Sequence, residues 1–256
     1  MIEYEAKLVA FIDVLGFKSL VERDEKFRLE QYFAYITSNL KEYSKKGKGE
    51  IDYILISDAI VLIVDFTGNW LQQLIQIVSV IQARLLILKI PLRGAISFGD
   101  VYLNRDDNII VGSGLINAYL LEEKAIYPRV IIDRKLMKYG DMKLVLNRER
   151  NLSWLNVSEY KDSLNGFIYI DYLKVLARYD SFHKGNRLNS VYELILDNIH
   201  SNQNFEKYKW ILSKWMEALE VHIEALSGKL DVIKDKQMAN KKLRINREIL
   251  EKLRKI

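Results

Sequence analysis

Four short apolar stretches, at residues 8–14, 51–56, 59–65 and 92–103, limit the folds open to this chain. The first is a continuous apolar run that contains one acid, which is typical of a buried central strand. The second and third are separated by only two residues, a spacing that predicts a β-hairpin. The fourth follows a proline and also predicts a strand. These stretches are therefore predicted to form one sheet.

Helical patterns separate the strands. Apolar residues recur at helical spacing over residues 69–88, which predicts an amphipathic helix. Gly16 ends the first strand, and a helix is predicted after it to about residue 43. Another helix is predicted over 115–124, followed by a strand at 129–132. The order β-α-β-β-α-β-α-β indicates an α+β fold. We expect a sheet with helices packed on one face, close to a ferredoxin-like arrangement.

The pattern is weaker beyond residue 140. Residues 167–173 predict a strand, and the sequence is helical from residue 187 onward. We therefore divide the chain into a core over residues 1–140, the remaining strand and helix elements of the same domain over 141–186, and a helical extension with a basic tail over 187–256.

The composition excludes several classes of protein and of site. Hydrophobic residues make up 49% of the 256 residues and charged residues 29%, which excludes a disordered or fibrous protein. Cysteine is absent and the three histidines are widely spaced, so we expect no disulfide, zinc site or serine-hydrolase triad. The N-terminal stretch is acidic, unlike a signal peptide, and the most apolar run, residues 53–64, is too short to span a bilayer. We expect a soluble, cytoplasmic protein with no membrane partner.

The positive charge is concentrated at the C-terminal end. The formal net charge is +5, but residues 228–256 contain ten Lys and Arg against four Asp and Glu, so they carry +6 and the rest of the chain carries −1. A basic tail can bind nucleic acid. A solvated charged helix is the more common explanation, and we do not expect a nucleic-acid partner.

Two acids stand where the sequence should be apolar. Asp13 interrupts the first strand, and Asp58 lies at the tip of the predicted hairpin. Burying a carboxylate is unfavourable unless it is paired or binds a cation, and the two carboxylates converge if their strands are neighbours. Two like charges held together favour a divalent metal, and oxygen ligands without Cys or His indicate Mg²⁺ or Mn²⁺. For each acid alone, a capping or turn-forming role is the alternative.

Four segments resemble the class III nucleotidyl cyclases in order and spacing. FIDVLGF (residues 11–17) is similar to the first metal-binding motif of that family, and ISDAIVLIV (56–64) to the second, with Ser-Asp where Gly-Asp is usual. RGAISFG (93–99) and VGSGLINAYLLEEKAIYPRVIID (111–133) resemble the elements that complete the family's site. The resemblance covers residues 6–135 and implies a ferredoxin-like class III cyclase homology domain with a C-terminal helical extension.

The resemblance implies cyclisation of a nucleoside triphosphate with two divalent ions, Mg or Mn, held by Asp13 and Asp58. One ion would activate the ribose 3′-hydroxyl for attack on the α-phosphorus. The other would bind the β- and γ-phosphates and stabilise the leaving pyrophosphate. The backbone at Gly16 and Phe17 opens a helix and would face the phosphates.

Two arginines are further candidates for binding the substrate. Arg129 lies at the position of a basic residue that grips the triphosphate in the family, and a surface position at the end of a strand is the alternative. Arg93 is a second candidate, and pairing with a nearby acid is the alternative for it.

The other functional side chains of the family are replaced in this chain. The Lys that reads the base in adenylyl members aligns with Ile54, and their second base-reading residue, an Asp, aligns with Ile109. The catalytic Asn and Arg of the motif helix align with Ile116 and Leu120. Asn117 lies one residue away and is the candidate to replace the Asn. A purine cyclase of ordinary type would not lose all four side chains.

With these replacements, the chain resembles the bacterial pyrimidine cyclases of Pycsar anti-phage systems. Those proteins are homodimers that keep the metal acids. INAYLLEEKAIYPRVI (116–131) and, more loosely, KYKWILSKW (207–215) are similar to that group. A pyrimidine-sized pocket would be lined by Ile54, with Tyr53 beside it. Strict strand alternation places Tyr53 on the opposite face from Asp58, so this role requires a bulge.

The resemblance thus implies a uridylate cyclase that converts UTP to cyclic UMP and pyrophosphate, a second messenger read by a separate effector protein in phage defence. In the family the catalytic sites form between two subunits, one supplying the metal acids and the other the helix that carries Asn117. The alternatives are a cytidylate cyclase that makes cyclic CMP, a purine nucleotide cyclase, and a catalytically silent cyclase-like module that binds nucleotide.

Overall fold

A computed structural model describes residues 2–22, 25–46, 51–107, 109–146, 157–160, 166–178, 187–201 and 204–256. The strands are β1 Glu5–Val14, β2 Asp52–Ile56, β3 Ala59–Asp65, β4 Leu92–Asn104, β5 Ile109–Val111, β6 Val130–Ile132, β7 Val157–Tyr160 and β8 Phe167–Ile170. The helices are α1 Phe17–Glu22, α2 Lys26–Lys46, α3 Gly68–Ile87, α4 Ser113–Glu122, α5 Gly140–Leu146, α6 Leu173–Arg178, α7 Arg187–Asn198, α8 Phe205–Ser227 and α9 Lys236–Leu253.

The strands form one sheet in the order β2-β3-β1-β4-β6-β8-β7, and β5 pairs with β4 beside this path. The β4–β6 pair is parallel and the other pairs are antiparallel. The central position of β1, between β3 and β4, confirms the interpretation of its apolar run as a buried strand. The predicted hairpin is confirmed as β2–β3. The α+β fold with a helical C-terminal extension is thus the fold of the chain.

The two faces of the sheet are covered by different helices. Leu8, Ala10 and Ile12 of β1 belong to a core that includes α2, α3 and α5, and we call this side the α3 face. Val9 belongs to a smaller core with Ala118 of α4, and we call this side the α4 face. Side chains alternate along a strand, so β1 contributes to both cores. The expectation that helices cover one face only is wrong, because α4 returns onto the opposite side.

The helix α3 confirms the amphipathic pattern predicted over residues 69–88. It begins where the N–H of Trp70 donates to the hydroxyl of Thr67 over 3.2 Å. Within the part of the chain that the structure describes, α3 is the one helix that is long and apolar enough to cross a membrane. Of its apolar window, 67% is buried inside the protein. This burial is typical of a core helix.

The helices α6–α9 form a second large apolar cluster with residues of α3, β4, β6 and β8, so the extension packs directly on the sheet domain. The inner side of α9 packs through Leu243, Ile249 and Leu253, while most of its basic residues are exposed. Arg254, directly after α9, lies 2.8 Å from Glu220. The boundaries at residues 140 and 186 stay predictions.

Candidate active site

The site begins at the open end of β1, where the hairpin tip meets the strand. Asp13 pairs across the sheet with Ala59 of β3 on one side and with Arg93 of β4 on the other. The tip residue Asp58 directly precedes Ala59, and its carbonyl accepts a hydrogen bond from the N–H of Val14 over 3.2 Å. The structure therefore brings the two predicted acids to the same place, because the strands that carry them are neighbours.

The carboxyl groups of Asp13 and Asp58 are close enough for their charges to interact. Burial, followed by the negative charges of Asp58 and Glu122, raises the pKa of Asp13 to about 6, and the positive charge of Arg93 opposes this shift. Asp13 is thus half-buried in a region where negative charge is only partly compensated. A cation at this position would remove the repulsion.

Arg93 lies between Asp13 and a third acid, Glu122 of α4. The Arg93 Nε atom is 2.5 Å from the Glu122 Oε1 atom, and the Arg93 Nη2 atom is 3.5 Å from the Asp13 Oδ2 atom. The Glu122 side chain is only 5% exposed. Burial raises the pKa of Glu122, and its contact with Arg93 opposes that shift. Arg93 thus pairs with nearby acids, closely with Glu122 and at longer range with Asp13.

Glu122 reaches this position because α4 lies close to the sheet. Gly114, Ala118 and Glu122 follow each other at intervals of four residues, and all three are buried on the inner side of the helix. A side chain at Gly114 would come within 2.8 Å of Val101 and 3.2 Å of Val9. Sequence reasoning missed Glu122. The signal available was an acid in register with two small residues on the inner side of a helix.

The residue set at the open end of β1 fits a divalent cation. Its donors are carboxylate oxygens, the ligands that Mg²⁺ and Mn²⁺ prefer. Over the described ranges, no group of three or more His, Cys, Asp and Glu residues has the arrangement of a complete protein-only metal site. Mg²⁺ is commonly bound by one or two carboxylates together with substrate phosphates and water. The pair Asp13 and Asp58 fits that pattern.

Tyr32 of α2 is a second residue that sequence reasoning did not find. Its side chain is almost fully buried. Burial, and then the charges of Asp58 and Asp13, raise the pKa of its hydroxyl. Tyr32 therefore stays neutral within electrostatic range of both acids.

Gly16 and Phe17 lie in and directly after the turn that follows β1, close to Asp13 in the sequence. Gly16 has a φ of 79°, a conformation that glycine adopts without a steric penalty. Phe17 packs toward the α3 face, where its ring lies 6.4 Å from that of Tyr32. Gly16 also lines a polar cleft of about 490 Å³ between the sheet domain and α7–α8. Neither Asp13 nor Asp58 lines this cleft, so the acid pair lies outside it.

Asn117, next to the buried Ala118, lies on α4. It is exposed, and its amide donates to the carbonyl of Phe98 over 3.0 Å. Glu122 is on the inner side of the same helix, where it meets Arg93. Asn117 and the acids of the same chain are therefore not brought together. Its neighbours Ile116 and Leu120 are 57% and 49% exposed.

The structure separates the two candidate residues of β2. The β2–β3 register is continuous from Asp52 to Ile56, with Tyr53 opposite Leu62. Tyr53 packs with the core of the α3 face, whereas Ile54 packs with the core of the α4 face, which includes Val9. The expectation that a bulge turns Tyr53 toward the acids is wrong, because no residue is inserted in this strand. Ile54 lies on the same face as Asp13.

Arg129 directly precedes β6, and its carbonyl accepts a hydrogen bond from Gly94. The side chain is 1% exposed. Its guanidinium lies 5.2–5.6 Å from the ring centres of Tyr127, Phe167 and Tyr169. The alternative that Arg129 lies on the surface at the end of a strand is therefore wrong. The role of gripping a triphosphate is corrected as well, since the aromatic rings enclose the cation and leave it no accessible surface.

Comparisons with known proteins found solved cyclase structures that are similar to part of this chain. No family model and no curated protein matches the chain. The adenylyl cyclase CyaB from P. aeruginosa is similar over 66% of this chain and 95% of its own, with 15% identity and a TM-score of 0.47. The guanylyl cyclase Cya2 is similar over 66% and 92%, with 11% identity and a TM-score of 0.45.

A third solved structure is the guanylate cyclase domain of RhGC from Catenaria anguillulae in complex with GTP. It is similar over 65% of this chain and 94% of its own, with 14% identity and a TM-score of 0.44. Similarity at this level assigns neither a fold family nor an activity to this chain. The function of the chain therefore depends on the residues of its site.

Proposed function

We propose that the protein is a nucleotidyl cyclase that converts a nucleoside triphosphate into its 3′,5′-cyclic monophosphate and pyrophosphate. The observation that carries this proposal is the approach of Asp13, at the end of β1, to Asp58, at the tip of the neighbouring hairpin. The four sequence segments that resemble class III cyclases lie on the elements around this pair. Two acids that repel each other in the absence of a cation are well suited to hold one.

Divalent ions at this pair would activate the 3′-hydroxyl and stabilise the charge of the phosphates. The other roles in the site belong to residues of the chain. Asp13 and Asp58 would hold the ions, and Gly16, with its positive φ, lies in the turn between β1 and α1. Arg93 adds one positive charge beside the acids, where the triphosphate would lie.

We propose UTP as the substrate and cyclic UMP as the product, with CTP as the alternative. The support is the chemistry of two positions that select purines in the resembled family. Ile54 and Ile109 offer no hydrogen-bonding side chain there, and Ile54 lies on the α4 face. A site that reads a base by hydrogen bonds rejects an analogue strongly only when polar groups are present. Ile54 and Ile109 thus favour a pocket that selects by size.

We propose a homodimer in which each site takes acids from one subunit and Asn117 from the other. Within one chain, the amide of Asn117 donates to the Phe98 carbonyl and not to Asp13. The outer side of α4 exposes Ile116 and Leu120, one turn apart. Apolar residues clustered on a surface mark association sites. A second copy placed here would cover them and bring Asn117 toward an acid pair.

The doubly substituted variant Ile116→Asp, Leu120→Asp is expected to sediment as a monomer at micromolar concentration and to lose activity, because two charges would be buried in the interface. The matched control is Leu144→Asp, whose side chain on α5 is 63% exposed. It is expected to remain dimeric and active. A wild-type protein that is monomeric under active conditions would contradict the shared site.

The experiment that tests the function is incubation of the purified protein with ATP, GTP, CTP and UTP separately, each with Mn²⁺, followed by mass spectrometry of the products. Cyclic UMP as the main product is the expected result. A cyclic purine would leave the acid pair in place and contradict the interpretation of Ile54 and Ile109. No product from a folded dimer would favour the silent nucleotide-binding module, which the residues Ile116 and Leu120 at catalytic positions support.

The cellular role belongs to the same proposal. The pyrimidine cyclases that this sequence resembles act in Pycsar anti-phage defence. We therefore place the enzyme in the cytoplasm, where its cyclic nucleotide would be read by a separate effector protein.

A further inference from the structure

We infer that Glu122 is a positioning residue, which holds Arg93 back from Asp13 and so keeps the acid pair open to a divalent cation. The inference rests on the proposed function, because it concerns the cation site at Asp13 and Asp58. Neither the sequence motifs nor the comparisons assign a role to Glu122.

The distances show which acid Arg93 prefers. Its Nε atom lies 2.5 Å from Glu122, a close ion pair, whereas its Nη2 atom lies 3.5 Å from Asp13, beyond the range of an ordinary hydrogen bond. Arg93 therefore contacts Asp13 only loosely. Asp58, at the hairpin tip beside the end of β1, is a further neighbour of Asp13.

From its position in β4, Arg93 would be expected to lie closer to Asp13 than it does. Arg93 stands directly opposite Asp13 in the antiparallel β1–β4 pair. Side chains opposite each other in such a pair start about 5 Å apart and normally interact. A guanidinium carries five donors in a planar fork and binds a carboxylate through two parallel hydrogen bonds. Without a competing acid, Arg93 would be expected to close on Asp13.

Glu122 is fixed well enough to prevent this closure. It is buried on the inner side of α4, close to the sheet that carries Arg93. Gly94, the next residue in β4, has no room for a side chain, because a Cβ there would lie 2.6 Å from the carbonyl of Phe11. The backbone at Arg93 is therefore held against β1, and the helix holds its partner. Both ends of the Arg93–Glu122 ion pair are constrained.

Competition for Asp13 gives this ion pair a function. A guanidinium and a divalent cation would bind the same carboxylate oxygens, so only one of them can take the site fully. By holding Arg93 in an ion pair, Glu122 leaves the carboxylate oxygens of Asp13 available to the metal. It also keeps one positive charge beside the acids. Glu122 is not assigned as a ligand, since its side chain is 5% exposed and already contacts Arg93.

The test is the affinity of the full chain for Mn²⁺ alone, measured by electron paramagnetic resonance of the free ion. Glu122→Gln is expected to weaken Mn²⁺ binding by about 10–100-fold, the range seen when a residue that orients a ligand is lost. The double variant Arg93→Gln, Glu122→Gln is expected to restore affinity to near the wild-type value, because the competing cation is gone. Glu123→Gln, at the exposed neighbouring residue, is the control and should bind like the wild type.

Each other result has a distinct meaning. Wild-type affinity in Glu122→Gln would overturn the inference, and so would a double variant that stays weak, since that indicates a ligand or a purely structural role. If Glu122→Gln does not fold, Glu122→Asp replaces it, and intermediate affinity is expected from the shorter side chain. If the wild-type protein does not bind Mn²⁺, or if Asp58→Asn does not weaken the binding, the proposed metal site itself is overturned.

Discussion

Asp58→Asn is expected to lower the rate of cyclic nucleotide formation by about a thousandfold, because metal ions supply several kcal/mol to such reactions and each 1.36 kcal/mol is a factor of ten. The amide keeps the size of the side chain but removes the charge that would hold the ion. Product formation would be measured with UTP and Mn²⁺ under saturating conditions.

The matched control is Asp65→Asn, at the far end of β3, the strand that Asp58 directly precedes. Asp65 is exposed and lies 2.8 Å from Lys7. Exposed ion pairs contribute little to stability, so this variant should fold and keep its activity. A folded Asp58→Asn variant with the wild-type rate would show that the acid pair is not the reaction centre.

Asp13→Asn is expected to stabilise the metal-free protein at pH 7 by about 1–3 kcal/mol. The pKa of Asp13 in the folded protein is about 6, above the value of about 3.9 for an aspartate in an unfolded chain. Its contribution to the free energy of unfolding is therefore zero below about pH 4, falls as the pH rises to about 6, and stays unfavourable above that. The gain from Asp13→Asn should be present at pH 7 and absent at pH 4.

Mn²⁺ is expected to stabilise the wild type but not the Asp13→Asn variant. It should raise the melting temperature of the wild type at pH 7, because it binds the folded state, and less so below pH 6, where protons compete for Asp13. It should not raise that of Asp13→Asn. Differential scanning calorimetry at pH 4, 6 and 7 measures both effects. Equal stabilisation of the two proteins by Mn²⁺ would place the ion elsewhere.

The sequence was a good guide wherever local pattern decides the structure. The apolar run of β1, the two-residue hairpin connection and the helical spacing of α3 all lie where they were predicted. Apolar periodicity selects these elements before any tertiary contact forms. The approach of Asp13 to Asp58 followed from the same information, because a hairpin that neighbours β1 must bring its tip to the end of that strand.

The sequence was a poor guide to residues whose roles depend on what packs over them. Tyr53 was predicted to face the acids and packs on the α3 face, because the register of β2 is regular. Arg129 was predicted to bind phosphate and lies among three aromatic rings, two of which come from β8. The distance along the chain between Arg129 and β8 gave no sign of this contact.

The sequence by itself determined the order of strands and helices, the oxygen-only character of the site and the two acids at its centre. Those features depend on residue type and on spacing over a few residues. Only the tertiary structure decided that α4 covers the second face of the sheet and that Glu122 reaches Arg93. Such contacts join segments about thirty residues apart, and their geometry is set by how closely a helix with small residues approaches the sheet.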